Sequence, residues 1–351
     1  MDPKYCVARN PENVEVKNYN VELISFDHPL MEKVYGIKSL PLKQAKVTID
    51  LHNVSTATAN SIRRTIIDEV SGYAFDVGLK DYEINEHSDK TAIRHYVISR
   101  INAIPLNCVI SDDILQTVKF SINIFNSTND PMFVTSSDLQ CNKKIKDVLF
   151  NPNYIIACLN PGTTLRINNI RIVKDIGLNN TYCKSACNVT MIPLDREIYT
   201  PEELEADHAL KLRSKFKYSA TQVENIAHRI TFKLNAVENK YEAEMFLQSA
   251  IKTLITNFNI ILNEDYSEYV SDLEGGIKML KFESPHTNTI SEALKRSIFD
   301  ITKNKVMLCY YTYSSSEHVS TMIIKDTNPL ELLHLGITNM IAILTKLLLP
   351  M

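Results

Sequence analysis

Ala59-Asn60-Ser61-Ile62-Arg63-Arg64-Thr65-Ile66-Ile67-Asp68 returns 232 positions later as Ser291-Glu292-Ala293-Leu294-Lys295-Arg296-Ser297-Ile298-Phe299-Asp300. Three positions are identical and five more are conservative, with a basic pair in register in each copy. Ile62, Ile66 and Ile67 follow i, i+4, i+5 spacing, so the first copy predicts an amphipathic helix over 57–69. Ser55 or Thr56 is its expected N-cap. A chain with two copies of one unit can pair with itself.

A second repeat lies further on. A strand expected at 228–236 leads into a helix at 240–261, and the same order recurs at 318–325 and 329–348. With a shift of 86, Phe246, Leu247, Ala250, Ile251, Leu254, Ile255 and Phe258 fall on Leu332, Leu333, Gly336, Ile337, Met340, Ile341 and Leu344. All of these are small or apolar at helical spacing, and each stripe follows its own copy of the basic helix. The two halves differ in what separates the helices. Ile66 and Phe246 are 180 residues apart, whereas Ile298 and Leu332 are 34 apart. The difference leaves room for a β-rich insert.

Strands are expected at 14–26, 45–51, 117–125, 132–138, 153–159, 163–174 and 187–194. Turn signals such as Asn151-Pro152-Asn153 and Asn160-Pro161-Gly162 separate several of them. Residues 89–103 read as a helix with Ile93, Val97, Ile98 and Ile101 on one face, and Thr200-Pro201-Glu202-Glu203 as a helix start. Asp265, Glu268, Asp272, Glu274 and Gly275-Gly276 make 262–276 an expected solvated linker. The division is therefore an N-terminal extension 1–44, a discontinuous first unit 45–75 and 211–261, an insert 76–210, the linker, and a second unit 277–351.

Composition narrows the function. The chain has 351 residues, 44% hydrophobic and 23% charged, as in ordinary globular proteins. A net charge of −3 lacks the basic bias of a free-standing nucleic-acid binder. With eight glycines, neither the P-loop nor the dinucleotide fingerprint occurs. Seven scattered cysteines suit free thiols in a reducing compartment, and the first residues lack the apolar core of a signal peptide. The charge-free run 332–345 is shorter than a bilayer span, so a buried interface helix is expected over a tail anchor. Ser111-Asp112-Asp113 has the form of paired carboxylates for Mg²⁺, but no third carboxylate motif accompanies it and a turn is expected. Cys183 and Cys187 have the spacing of half a zinc site without a second pair.

Several segments together resemble one family, the alpha-type assembly subunits of multisubunit DNA-directed RNA polymerases. Val54 to Val70 is similar to the family's Asn-x-x-Arg-Arg helix and is followed by Tyr73-Ala-Phe-Asp76. Ser99-Arg-Ile-Asn-Ala-Ile-Pro-Leu106 resembles its Arg-Leu-Gly-Leu-Ile-Pro-Leu segment. Leu159-Asn-Pro-Gly162 and Lys174-Asp-Ile-Gly177 resemble later turns, and His286-Thr-Asn-Thr-Ile290 sits where the short partner has a His-Thr-Leu-Gly-Asn-like helix start. The first half looks like the third subunit of eukaryotic RNA polymerase II and the second like the eleventh. A single-chain fusion of the two is the arrangement of large cytoplasmic DNA viruses.

The resemblance implies an α+β fold in which the RNA polymerase alpha-type dimerisation fold occurs twice, as an intramolecular pseudo-dimer with a β-rich insert. It implies a noncatalytic scaffold on which the second-largest and largest subunits dock. The insert would hold small accessory subunits similar to the tenth and twelfth. No cofactor, metal, membrane or direct nucleic-acid contact is expected, and the implied location is the cytoplasmic viral factory and virion, with the host nucleus a further one. The implied interface residues are Asn60, Arg63, Arg64, Ile66, Arg100, Phe246, Ile251, Leu254, Lys295, Arg296, Leu333, Ile337 and Ile341, with both basic pairs facing outward. Three departures stand out. Only Cys108 follows the Ile-Pro-Leu segment where many third subunits carry a zinc-binding cluster, Arg94-His95 replace an acidic pair, and Asn102 and Asp175 replace glycines. The alternative reading is a virion structural protein with a C-terminal hydrophobic anchor.

Overall fold

The computed structural model describes residues 11–26, 42–78, 82–84, 90–107, 110–142, 154–198, 223–235, 237, 239–284, 288–302, 306–314 and 319–348. The first elements are β1 (Glu15–Phe26), β2 (Leu42–His52), α1 (Thr56–Asp68), β3 (Ser71–Asp76), β4 (Tyr82–Ile84) and α2 (Lys90–Asn102). Next come α3 (Asp112–Thr117), β5 (Phe120–Phe125), β6 (Met132–Thr135), β7 (Gln140–Cys141), β8 (Ile155–Leu159), β9 (Thr164–Ile176), β10 (Ala186–Ile198) and β11 (Val223–Asn235). The chain ends with α4 (Lys240–Asn263), β12 (Val270–Asp272), β13 (Lys278–Ser284), α5 (Asn288–Thr302), β14 (Leu308–Ser314), β15 (Val319–Asp326) and α6 (Pro329–Leu347). Helices interleave with strands along the chain, and the pairing of those strands is antiparallel, as in an α+β protein.

Two four-stranded antiparallel sheets carry the repeated helices. The first has the order β1-β2-β11-β10 and the second β12-β13-β15-β14. Alternation explains why each sheet has one dry face. Ala45, Val47, Ile49 and Leu51 on β2 face Ile230, Phe232 and Leu234 on β11 across a continuous register, and all seven are buried. In the second sheet Leu280 and Phe282 lie opposite Ile324 and Met322 on the same buried face. One core then runs from the first sheet through α1, α4, α5 and α6 to the second sheet. Each fully buried aliphatic or aromatic side chain contributes about 1.5–3 kcal/mol relative to exposure, so this shared core holds the two halves together.

A second core is built by residues 75–172. β3, β9, β5 and β7 form its main sheet, β4 pairs with β9, and β6 pairs with β8. Phe75 and Phe120 meet edge to face with centroids 5.2 Å apart, and Val97 and Ile101 of α2 complete the packing.

Several expectations need correcting. β1 lies inside the expected 1–44 extension, yet it is a full strand of the first sheet, paired with β2 through most of its length. β10 belongs to the first sheet and not to the insert, because Val189 and Met191 pack on the first core while the strand pairs with β11. β3, placed in the first unit, pairs with β9 in the second core. The second core and its sheets therefore draw on residues of about 71–176 and not on the whole of the expected 76–210. The expected linker 262–276 is instead part of the fold. α4 runs on to Asn263, Tyr266 is buried against Phe282, and β12 pairs with β13 around a turn whose Gly275 and Gly276 both take φ +76°. In place of the expected turn, Asp112 begins the short helix α3 with Ser111 at its N-cap position. Residues 136–138 leave the strand for a 3-10 turn whose Asp138 carboxylate accepts from the Thr135 N–H. The helix start at Thr200 lies outside the described residues.

Candidate functional site: the helical junction and its basic pairs

α1 begins where the sequence places a cap. The Ser55 hydroxyl oxygen accepts from the Thr58 N–H at 3.2 Å, satisfying one of the open amides of the first turn. Thr58, Ala59, Ser61, Ile62, Thr65 and Ile66 are then buried. The polar members of that face are committed across the halves. Ser61 Oγ donates to Thr289 O at the start of α5, 2.8 Å away, and Thr58 Oγ1 lies 3.8 Å from Met340 Sδ on α6.

α1 contacts α5, α4 contacts α6, and α1–α4 and α5–α6 close the set. Ile66, Phe246, Ile251, Leu254, Leu333 and Ile337 are buried here, and Ile341 packs partly buried at the margin. Seven of the thirteen expected interface residues therefore converge on one junction inside the chain. The closest approach is at Gly336 of α6, which meets α5. A Cβ there would lie 2.7 Å from Ile298 Cγ1, and Gly336 O accepts from Ser297 Oγ at 2.8 Å. Asn339 Nδ2 in turn donates to Ser297 Oγ at 3.0 Å.

The two basic pairs share a sequence pattern but not an environment. Arg296 and Lys295 are 5% and 7% exposed, so the expectation that the second pair faces outward is corrected. Arg296 Nε lies 3.2 Å from Asp300 Oδ1, one helical turn on, with both side chains buried. Lys295 Nζ lies 3.1 Å from Glu292 and over the ring of Tyr311. In the first copy the matching carboxylate, Asp68, is held at 2.7 Å by Lys184, a residue from the loop before β10. Arg64 is half-buried, and its Nε is enclosed with no hydrogen-bond partner among the described residues. Arg63 is also half-exposed, with Nε donating to Asn60 Oδ1 at 2.9 Å. Asn60 thus orients one arginine while the other keeps unused donors. A guanidinium with open donors at a half-buried site suits a carboxylate or a run of backbone carbonyls from outside.

Arg100 is not part of this junction. It lies on α2 in the second core, donates from Nη1 to Ile155 O at 3.3 Å and sits 4.3 Å over the exposed ring of Tyr96. Its local role is to tie α2 to β8.

Other sequence candidates are accounted for locally. Asp113 is exposed on α3. Cys183 is buried beneath Gly72, whose missing Cβ leaves room for Cys183 O, and burial pushes its thiol up. Cys187 Sγ lies beside Asn235 Oδ1. Among the described residues no group of three or more His, Cys, Asp or Glu converges as a metal site. α4 and α6 are long and apolar enough to cross a membrane by length and composition alone.

Sequence reading missed the ion pair of the first sheet. Arg229 Nε and Nη2 donate to the two oxygens of Asp50 at 2.7 and 2.8 Å, and Asn18 Nδ2 donates to Asp50 Oδ2 at 2.9 Å. The hydrogen bonds from Arg229, outweighing burial, hold the Asp50 carboxyl below its ordinary range. The partners are 179 and 32 positions apart, so only the strand register brings them together.

No family model matches the sequence. Curated relatives do. The chain is 24% identical over 331 residues to a protein named DNA-directed RNA polymerase RPB3-11 homolog from African swine fever virus, covering 89% of this chain and 88% of the relative. The proteins of that name from two further isolates match over the same shares at 24% and 25% identity. The match covers most of the chain and makes it a homologue of the viral proteins named DNA-directed RNA polymerase RPB3-11 homolog.

Proposed function

We propose that the chain is a noncatalytic assembly subunit of a viral multisubunit DNA-directed RNA polymerase. The observation that carries this reading is the junction itself. α1 meets α5 and α4 meets α6 in a single core, which supports pairing of equivalent helices of the two halves about a pseudo-twofold axis. Each half is a sheet with two helices on one face, and each covers apolar surface that the other would leave open. Joining them in one chain makes the pairing intramolecular, at high effective concentration and in fixed stoichiometry. The curated homologues carry the name DNA-directed RNA polymerase RPB3-11 homolog, which supports this reading.

In this reading the working units are a first pairing unit at about 15–68 and 186–263, a β-rich insert at about 71–176, and a second pairing unit at about 266–348. Arg63 and Arg64 form the docking point for the second-largest subunit, with Asn60 as the positioning residue, and the largest subunit joins afterwards. The insert receives the small accessory subunits. The chain itself touches neither nucleotide nor DNA and works in the viral factory and the virion.

Reconstitution tests the role of the arginines. The chain is co-expressed with the two largest subunits, as wild type and as Arg64→Glu. The variant is expected to fold with an unchanged circular dichroism spectrum and to lose the second-largest subunit on purification. Normal assembly by Arg64→Glu would refute the assignment. The anchored virion protein is weaker, because Leu333, Ile337, Met340 and Leu344 on α6 are occupied by core contacts. A chain that aggregates unless detergent is present would favour it.

A further inference from the structure

The segment joining the two halves makes a cavity of about 550 Å³ between the end of α4 and β13. Tyr266, Tyr269 and Phe282 wall one side. Tyr266 is buried, its ring 4.5 Å from that of Phe282 and its hydroxyl donating to Glu264. Tyr269 is 55% exposed, its ring centroid 6.1 Å from that of Tyr266. Glu264, Asp265 and Glu283 face the same space with, among the described residues, one cation, Lys281. Asp265 accepts from the Ser267 N–H at 2.9 Å, a bond that holds its carboxyl below the ordinary range. Glu264 also stands at the C-terminal, electronegative end of α4.

The backbone beside this cavity is open as well. β12 pairs with Lys278, Met279 and Leu280 and stops there, while β13 continues to Ser284, paired only with β15 among the described residues. The chain before β12 leaves the strand as the 3-10 turn Ser267–Tyr269, which stays beside β13 across the cavity. Lys281 to Ser284 therefore present a strand edge where β12 has ended, and an edge of this kind accepts an added strand. A strand edge of this kind suits extended backbone.

We infer that this cleft is a peptide-docking site that takes an extended, arginine-bearing segment of a partner protein. The segment continues the line of β12 along Lys281 to Ser284. Its guanidinium lies on the exposed ring of Tyr269 and bonds the carboxylates of Asp265 and Glu283. Arginine fits because its planar fork bonds carboxylates bidentately and stacks on aromatic rings. An acidic segment is rejected by three carboxylates against one ammonium. The inference does not depend on the polymerase reading, since it follows from the edge, the rings and the charge alone.

The test uses the full chain and dye-labelled pentapeptides in fluorescence anisotropy. The peptides are Thr-Val-Arg-Val-Thr, the same peptide with Glu for Arg, and the Arg peptide N-methylated along one backbone edge. The Arg peptide is expected to bind saturably, and both others at least about tenfold more weakly. The combined variant Asp265→Asn with Glu283→Gln keeps side-chain shape at exposed positions and is expected to weaken the Arg peptide about tenfold. Its melting temperature, unchanged, shows that the loss is local. Failure of the Arg peptide to bind at about 1 mM, equal binding of the Arg and Glu peptides, or undiminished binding to the variant would each overturn the inference.

Discussion

Replacing Gly336 by alanine turns the closest approach of the junction into a test of sign. In a helix interior exposed to solvent, Gly→Ala stabilises by about 1 kcal/mol, because glycine loses more backbone entropy on folding. At Gly336 the added Cβ would sit 2.7 Å from Ile298 Cγ1 and 3.3 Å from Leu294 Cδ1. Ile298 is fully buried and β-branched, so it cannot swing aside at low cost. Overpacking of this kind costs about 1–3 kcal/mol. Separating α5 from α6 would also stretch the Ser297–Gly336 hydrogen bond, worth about 1 kcal/mol. The terms against the substitution exceed the gain, and Gly336→Ala is expected to destabilise by about 1–3 kcal/mol. Urea unfolding followed by circular dichroism measures this as a lower midpoint at unchanged slope. Ile298→Ala removes the clashing Cγ1, so it should cost less in the Gly336→Ala background than in the wild type, giving a favourable coupling energy in a double-mutant cycle. A raised midpoint for Gly336→Ala alone would refute the α5–α6 contact.

Three further outcomes follow from the same structure. Arg296→Ala removes one member of the buried Arg296–Asp300 ion pair and is expected to cost about 3 kcal/mol, whereas Arg64→Ala, at a half-exposed site, costs under about 1 kcal/mol; urea midpoints of the two variants compare them directly. Asp50 has a folded-state carboxyl held below its ordinary range by Arg229, so the unfolded chain binds more protons as pH falls. Its contribution is present above about pH 4 and lost as pH drops through the depressed folded value, and Asp50→Asn should flatten this acid limb in melting curves taken against pH. Gly72→Ala would put a Cβ 1.9 Å from Cys183 O, a backbone atom, and is expected to lower the soluble yield and the melting temperature more than Gly336→Ala does.

The repeated decamer and the matched apolar stripes make both helix pairs legible in the sequence, because burial at 3.6-residue spacing leaves a direct trace there. The first-sheet strands are legible by alternation, and β2 and β11 fall where that alternation puts them. What stays hidden depends on register. β10 reads like part of the insert, since a strand's own residues do not say which sheet it joins. The linker reads as solvated from its acids and glycines, but Tyr266 anchors it in the core and its two glycines are turn residues of a hairpin. The basic pairs look equivalent because their helices are. Their environments diverge through partners elsewhere in the chain: Lys184 takes Asp68 in one half, while Asp300 remains with Arg296 in the other.

The most direct measurement of the central claim is affinity purification of the tagged chain from cells producing the viral transcription machinery, with co-purifying proteins quantified by mass spectrometry. The account predicts that the two largest RNA polymerase subunits come with it in equimolar amounts and that Arg64→Glu abolishes their capture while the chain stays soluble. Recovery of the wild-type chain without any large polymerase subunit would contradict it.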